Sequence, residues 1–415
     1  MAKRFIVLFL LISGFYKVYA QELQLTALKV EQLINPLGID AKQPNLSWQI
    51  VSSKRGVAQI AYQVLVASTA EKLAQNEGDL WNSQKVNSSE SIYVKYNGKT
   101  LSSRTKCFWK VKVWTSIGES QWSETSFWTM GLLYYKDWPK GWIGLDKAFP
   151  WDNIETDSRL SARYFRKEFK SEKKIQSATA SIVGLGLYEL FINGKKVSDD
   201  VLAPSPTDYN QNVKANTYDV TSYIQNGKNA IGAVLGNGRF FAMRQDEKPY
   251  KVKTFGFPKM LLNLHLVYTD GSIQNIETDN TWKGTADGPI RTNNEYDGEE
   301  YDANKEFAGW NKAGFDDSKW LAADYVQEPS GAIESQMNAN MKVMKTLQPV
   351  SLKKISGNRY ILDMGQNMVG WLQIKVKGLK GEQVKLRFSE SLQDNGELFT
   401  ANLRNAKNTD IYTLK

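Results

Sequence analysis

Apolar residues along this chain recur with the two-residue period of β-strands, and no helical period holds for more than a turn or two. The run CFWKVKVWT alternates strictly through Trp109, Val111 and Val113, with Lys110 and Lys112 turned the other way; PNLSWQI carries Trp48 on a second strand and AYQVLVAST forms a third. Residues 21–131 therefore read as one small fibronectin type III-like sandwich. Tryptophans in sandwich strands belong mostly to the core, so Trp48, Trp109 and Trp122 are assigned there rather than to a sugar platform. From Gly131 to about Ser161 the periodicity fails at Pro139, Pro150, Lys140-Gly141 and Ile143-Gly144, which marks a boundary. Trp138, Trp142 and Trp151 within it predict packing against a neighbour rather than a free linker.

Beyond the boundary the strands ARYFRKEF, TYDVTSYI, NAIGAVLG and MLLNLHLVYTDG, separated by Gly, Asn and Pro, predict a jelly-roll sandwich over residues 132–330. It is organised around LGLYELFINGKKVSDDVLAPSPTDYNQN. Leu185 to Ile192 reads as a buried strand, Asn193-Gly194 supplies the two positive-φ positions of a type I′ turn, and Lys195 to Val197 begins the return. Asp199, Asp200, Asp208, Asn210 and Asn212 then place five side-chain oxygen carriers on short loops. That composition suits a hard cation, a sugar's hydroxyls, or plain turn formation by Asx residues bonding their own backbone.

Charge and special residues narrow the classes. Lys3 and Arg4 precede the apolar run Phe5 to Ile12, and Val18-Tyr19-Ala20 offers small residues at a cleavage site, so residues 1–20 read as a secretory signal peptide and the mature chain as a soluble periplasmic or extracellular protein. No later stretch approaches the ~20 apolar residues of a membrane span. With Lys3, Arg4 and Lys17 set aside, the chain's 53 basic residues fall to 50 against 44 acidic ones, a net of +6. Without a basic block interleaved with aromatics, nucleic acid is not expected as a partner. Cys107 is the only cysteine and His265 the only histidine. An intramolecular disulfide is thus impossible, a zinc site lacks its usual ligands, and His265, alternating with Leu264 and Leu266, reads as a structural strand residue.

YELFINGKKV, DDVLAPSPTDYNQNV, TYDVT, LGNG, NNEYDGEEYDA and WNKAGFDDSKW, in this order, resemble the N-terminal domain of bacterial α-L-rhamnosidases, glycoside hydrolase family seventy-eight. VEQLINPLGIDAKQPNLSW looks like that family's opening module. ILDMGQNMVGWLQIKV with LRFSESLQDNGELF looks like the start of its next β-sandwich, here residues 331–415. The fold class is therefore all-β, in tandem β-sandwiches of which the third is incomplete. In that family the catalytic domain is a barrel of paired helices following these modules, and nothing in this chain resembles it.

The resemblance implies a non-catalytic, carbohydrate-binding portion of a secreted α-L-rhamnosidase-like enzyme, its partner a rhamnose-containing glycan. The alternatives are a subunit of an active rhamnosidase whose barrel is separately encoded, and a structural remnant without activity. Carried over from the family's rhamnose-binding modules, Asp199 would accept hydrogen bonds from adjacent sugar hydroxyls and Asp200, with Asn210 or Asn212, would hold Ca2+. Arg239 would stand where the family more often shows a tryptophan against the sugar. The run EYDGEEYD is the one place where a substitute acid–base pair could sit. If extended, it would put Asp297 and Glu299 on one face, about 7 Å apart at their α-carbons, within reach of an inverting geometry. The family matches the run as a non-catalytic hallmark, and FDDSKW is expected to close the sandwich.

Overall fold

The structure is a computed structural model, which describes residues 23–152, 154, 159–241, 254–404 and 406–415; the proposed leader, residues 1–20, lies outside them. Among the described residues no helix is long and apolar enough to cross a membrane. The chain divides into two compact units, the first built from residues up to Asn35 with 43–100 and 106–127, the second from 36–42, 101–105 and 128–415.

In the first unit, Leu23–Val30, Asn45–Ser52 and Val94–Lys95 form one antiparallel sheet, and Trp81–Asn82, Gln59–Ala67, Lys106–Thr115 and Gly118–Glu119 run through the other. Trp48 and Trp109 lie in the core at 1% and 0% exposure, and the Trp48 indole donates to Gln59 Oε1 at 3.0 Å. Trp122 stops at the edge of a small cluster around Leu65 and Leu73, with the Lys110 ammonium 5.1 Å above its ring. Lys110 is itself buried, its ammonium donating to Asn76 Oδ1 at 2.7 Å. Burial pushes the Cys107 thiol up to about 12, which leaves it inert.

The second unit is a two-sheet sandwich. Its principal strands are β1 (Arg163–Ser171), β2 (Ile175–Leu185), β3 (Leu187–Ile192), β4 (Lys195–Lys196), β5 (Asn212–Asp219), β6 (Gly227–Gly236) and β7 (Lys259–Tyr268). One sheet runs β4-β3-β6-β1 and continues through Lys283–Thr285 to Leu321–Ala322. The other runs from Asp324–Val326 through Trp142–Gly144 to β7-β2-β5 and Ala332–Ser335, the last parallel to β5. Alternation sends Leu262, Leu264 and Leu266 of β7 and Ala178, Ala180 and Ile182 of β2 inward against Phe165, Leu190, Ile231 and Leu235 of the facing sheet. Each fully buried leucine contributes about 1.5–3 kcal/mol.

Two expectations are adjusted here. The hairpin strand begins at Leu187, not Leu185: Leu185 ends β2, and the chain crosses between sheets at Gly186 (φ +65°), where an added Cβ would lie 1.9 Å from the Gly236 carbonyl. The aperiodic stretch before β1 is structured, too. Trp142–Gly144 pairs with β7, and Trp138 and Trp142 are buried with Val183, Leu185, Tyr209 and Phe240. Its prolines and glycines break the alternation without preventing a short buried strand.

Strands β8 (Ile290–Asn294) and β9 (Gly298–Asp302) form a hairpin that continues into β11 (Thr409–Thr413), parallel to β9, and β10 (Gln383–Arg387), antiparallel to β11. Ser351–Ser356 pairs only with Arg359–Asp363 among the described residues. Val369, Trp371 and Leu379 stand 106%, 58% and 74% exposed. These three lie outside any strand; within the pair itself Leu352 and Tyr360 are exposed as well, at 64% and 53%, since a two-stranded sheet has no second layer on which to bury an apolar face.

Candidate carbohydrate-binding site

The turn of the organising hairpin is type I′, with φ of 51° at Asn193 and 83° at Gly194. The Asn193 side chain fixes it, donating to the Tyr223 carbonyl at 2.9 Å and accepting from the Ala230 N–H at 2.9 Å. The returning chain then runs back along β3: Val197 N–H bonds the Leu190 carbonyl and Tyr188 N–H the Ala203 carbonyl, at 3.0 and 2.7 Å. The two adjacent aspartates, on the bent chain that follows β4, take opposite directions.

Asp199 points to solvent. Its side chain is 74% exposed and accepts from Lys342 Nζ at 2.8 Å, which holds its carboxyl below the usual range. Asp200 points inward and is 6% exposed. Its Oδ2 accepts from the Tyr218 hydroxyl at 3.1 Å and from Asn340 Nδ2 at 2.6 Å. The Tyr218 hydroxyl lies 2.8 Å from that of Tyr188, which donates to Asn216 Oδ1 at 3.0 Å; Asn216 in turn donates to Asn340 Oδ1 at 3.2 Å. The ring of contacts thus closes on itself. Burial drives the Tyr188 and Tyr218 hydroxyls well above their ordinary pKa, so both remain donors. Chain segment 340–342 completes the rim, with Val201 N–H bonded to the Met341 carbonyl at 2.9 Å.

The other expected site residues stand elsewhere. Arg239 donates through Nε to Glu295 Oε2 at 2.7 Å, across to the turn between β8 and β9, and no contact joins it to Asp199 or Asp200 among the described residues. Asp208 caps a turn, its Oδ1 accepting from Asn210 N–H at 3.1 Å and its carbonyl from Gln211 and Asn212 N–H at 2.8 and 3.0 Å. Asn212 opens β5 with a buried, unbonded Oδ1. Asp200, however, is bound to Tyr218, six residues further along that strand, about 20 Å at 3.3 Å per residue, whereas oxygens sharing one calcium ion lie within about 5 Å of each other. Asp200, Asn210 and Asn212 therefore do not make one ligand set, and the expected calcium constellation is not assembled.

Asp297 and Glu299 do not share a strand either. Asp297 precedes β9 in the turn, 2% exposed, accepting from Asn294 Nδ2 at 2.9 Å and Lys407 N–H at 3.1 Å. It holds a loop and has no access to a substrate. FDDSKW closes the sandwich as expected. Asp317 pairs with the buried Arg166 guanidinium, and Phe315 and Trp320 pack with Phe307 and Trp310 over the outer face of the first sheet.

Sequence reasoning missed Tyr188, Asn216, Tyr218 and Asn340. A signal for two of them was present: NVKANTYD alternates, placing Asn216 and Tyr218 on one face of a strand whose other face is Val213 and Ala215. Asn340 arrives from 140 residues downstream of Asp200 with no local cue.

Comparison with known proteins accounts for the modules. Residues 25–134 match the "Rha78A-like, N-terminal immunoglobulin domain", residues 173–345 the "Alpha-L-rhamnosidase N-terminal domain", and residues 353–415 the "Bacterial alpha-L-rhamnosidase concanavalin-like domain". An α-L-rhamnosidase of Formosa agariphila is 36% identical over 380 residues, covering 87% of this chain and 40% of that protein. The solved α-L-rhamnosidase from Dictyoglumus thermophilum superposes with a TM-score of 0.88 at 38% identity, over 94% of this chain and 44% of that one. The Streptomyces avermitilis α-L-rhamnosidase, solved with L-rhamnose, gives 0.83 at 28% identity over 95% and 54%. The chain thus spans about half the length of these relatives or less.

Proposed function

The chain belongs to the bacterial α-L-rhamnosidase family through its ordered β modules, and from that premise we propose that it is a secreted carbohydrate-binding portion of such an enzyme, itself non-catalytic, which holds a rhamnose-containing glycan at the rim of the Asn193-Gly194 hairpin. The observation that carries this reading is the split between the two aspartates. Asp200, sunk in neutral hydroxyl and amide donors, fixes the backbone, so that Asp199 presents an exposed carboxylate beside the Lys342 ammonium. A carboxylate accepts from two vicinal hydroxyls and an ammonium donates to a third, a pattern suited to a sugar edge. No step runs through calcium, because the expected ligands stand apart.

A monosaccharide offers little area, so a dissociation constant on the order of 0.1–1 mM is expected, about 4–5.5 kcal/mol. Calorimetric titration of L-rhamnose into the full chain tests the reading, in calcium and again in a chelator. The expected outcome is equal heats in both, and their loss in Asp199→Ala with an unchanged melting temperature. Binding that survives in Asp199→Ala would move the site away from this rim, and binding that requires calcium would restore a metal role.

A further inference from the structure

Asn-Gly occurs five times in this chain, at Asn97, Asn193, Asn226, Asn237 and Asn395. Glycine carries no Cβ to hinder the approach of its nitrogen to the asparagine side chain before it, so the five pairs are chemically alike in an unfolded chain. Folding makes them different. In the organising hairpin the Asn193 amide nitrogen donates to the Tyr223 carbonyl at 2.9 Å and to Asn229 Oδ1 at 2.7 Å, and its oxygen accepts from Ala230 N–H at 2.9 Å. The Gly194 N–H is held by the Asn311 carbonyl at 2.9 Å. Asn237 is fully buried, its Nδ2 donating to the Asn293 carbonyl at 2.5 Å and the Leu160 carbonyl at 3.4 Å. At Asn395 the side-chain oxygen accepts from Glu397 N–H at 3.0 Å, and Gly396 N–H bonds the Gln393 carbonyl at 2.9 Å. Asn226 is exposed, but Gly227 opens β6 opposite Ser171, and its carbonyl accepts from Asn229 Nδ2 at 3.0 Å.

Asn97 differs at both groups that matter. It is exposed, as is Gly98, on the loop that follows Val94–Lys95 in the first unit. Among the described residues no hydrogen bond reaches the Asn97 side chain or the Gly98 N–H. The residues on either side are anchored instead. Tyr96 N–H bonds the Pro44 carbonyl and Lys99 N–H the Leu80 carbonyl, both at 2.9 Å, and the Tyr96 hydroxyl donates to the Lys99 carbonyl at 2.8 Å. Gly98 runs so close to the chain beneath it that a Cβ would lie 2.3 Å from the Leu80 carbonyl oxygen. The position thus admits no larger residue that would slow attack by its nitrogen.

We propose that Asn97 is a site of spontaneous covalent modification, losing its side-chain amide to become aspartate or isoaspartate while Asn193 and Asn237 keep theirs. The Gly98 nitrogen gives its proton to solvent base and attacks Asn97 Cγ; the new C–N bond replaces the one to the amide, which takes a proton from water and leaves as ammonia. Water then opens the cyclic imide at either carbonyl. The sum is asparagine and water giving a carboxylic acid and ammonia, with no change of oxidation state. Opening at the main-chain carbonyl yields isoaspartate, which lengthens the backbone by one carbon between the Tyr96 and Lys99 anchors and loosens that clasp. At Asn193 the same attack must first break the bonds that hold the amide and the Gly194 N–H, which slows it by on the order of a hundredfold or more.

Peptide mapping by mass spectrometry, on the full chain incubated at mildly alkaline pH, tests this through the mass gained when NH is exchanged for O. Asn97 should convert first, with Asn193 and Asn237 lagging by that factor. In urea all five should convert at comparable rates, and Asn97→Gln, whose longer side chain disfavours ring closure, should remove the early signal. Asn97→Asp reproduces the charge without the extra carbon and should keep the Lys99 N–H protected from hydrogen exchange, whereas the isoaspartyl fraction should lose that protection. Conversion of Asn193 or Asn237 as fast as Asn97 in the folded chain overturns the proposal. So does a lag of Asn193 that persists in urea, an early signal that survives in Asn97→Gln, or full protection of Lys99 in the isoaspartyl fraction.

Discussion

Substituting Asp152 by Asn tests whether the stretch before β1 is pinned by charge. Asp152 and Arg163 are paired at 2.7 Å with both side chains 0% exposed. The carboxylate also accepts from Phe149 N–H at 2.8 Å and from Ser161 N–H at 2.8 Å, one on each oxygen. The guanidinium donates further to the Ser161 carbonyl at 2.7 Å and the Lys147 carbonyl at 3.1 Å, and lies 5.1 Å over the Phe149 ring. An amide of the same shape has one oxygen, so whichever way it turns, one backbone N–H loses its acceptor while a buried cation loses its counter-charge. Breaking such a pair from one side costs about 3–5 kcal/mol. At roughly 2–4 °C per kcal/mol for a unit of this size, the melting temperature should drop by roughly 6–20 °C. Arg163→Met should cost a similar amount, and the double variant distinctly less than the sum, because no buried charge is then left alone. Thermal unfolding followed by circular dichroism measures all three. A single variant within about 1 kcal/mol of the native chain, or strictly additive losses, would refute the argument.

The purified chain is expected to show no hydrolysis of aryl α-L-rhamnosides, and Asp297→Asn to change nothing catalytic, since Asp297 is committed to the loop bonds around Asn294 and Lys407; turnover abolished in Asp297→Asn would place an active site in the hairpin. Export is expected to remove residues 1–20 and leave Gln21 at the N-terminus, and an intact mass retaining Met1 to Ala20 in the exported protein would show the segment to be an anchor.

What was legible in the sequence follows the range of the forces involved. Strand identity depends on neighbours one or two residues apart, so the alternation around Trp109 and Leu264 and the Asn193-Gly194 turn could be read directly. The β2–β3 break could not, because Leu185 and Leu187 are both apolar and either side of Gly186 continues the pattern; only the approach of the Gly236 carbonyl forces a turn there. Lys110 illustrates the same limit. Alternation placed it outside, yet Asn76 on a loop supplies its ammonium with an acceptor, and burial lowers its pKa. The short strand Trp142–Gly144 was hidden because three residues are too few to show a period.

The site was half legible for a more particular reason. Position in the Asx-rich run identifies carboxylates but not their direction, and the run lies on bent chain beyond β4 where no period assigns one. Asp199 and Asp200 are chemically identical, and their roles separate only because Tyr218 and Asn340 bond the second and Lys342 the first. Lys342 and Asn340 belong to the same short segment, one bonding outside and the other inside. That segment therefore sets both the exposure of Asp199 and the enclosure of Asp200. The hairpin supplies the two carboxylates; chain some 140 residues away decides which of them can meet a sugar.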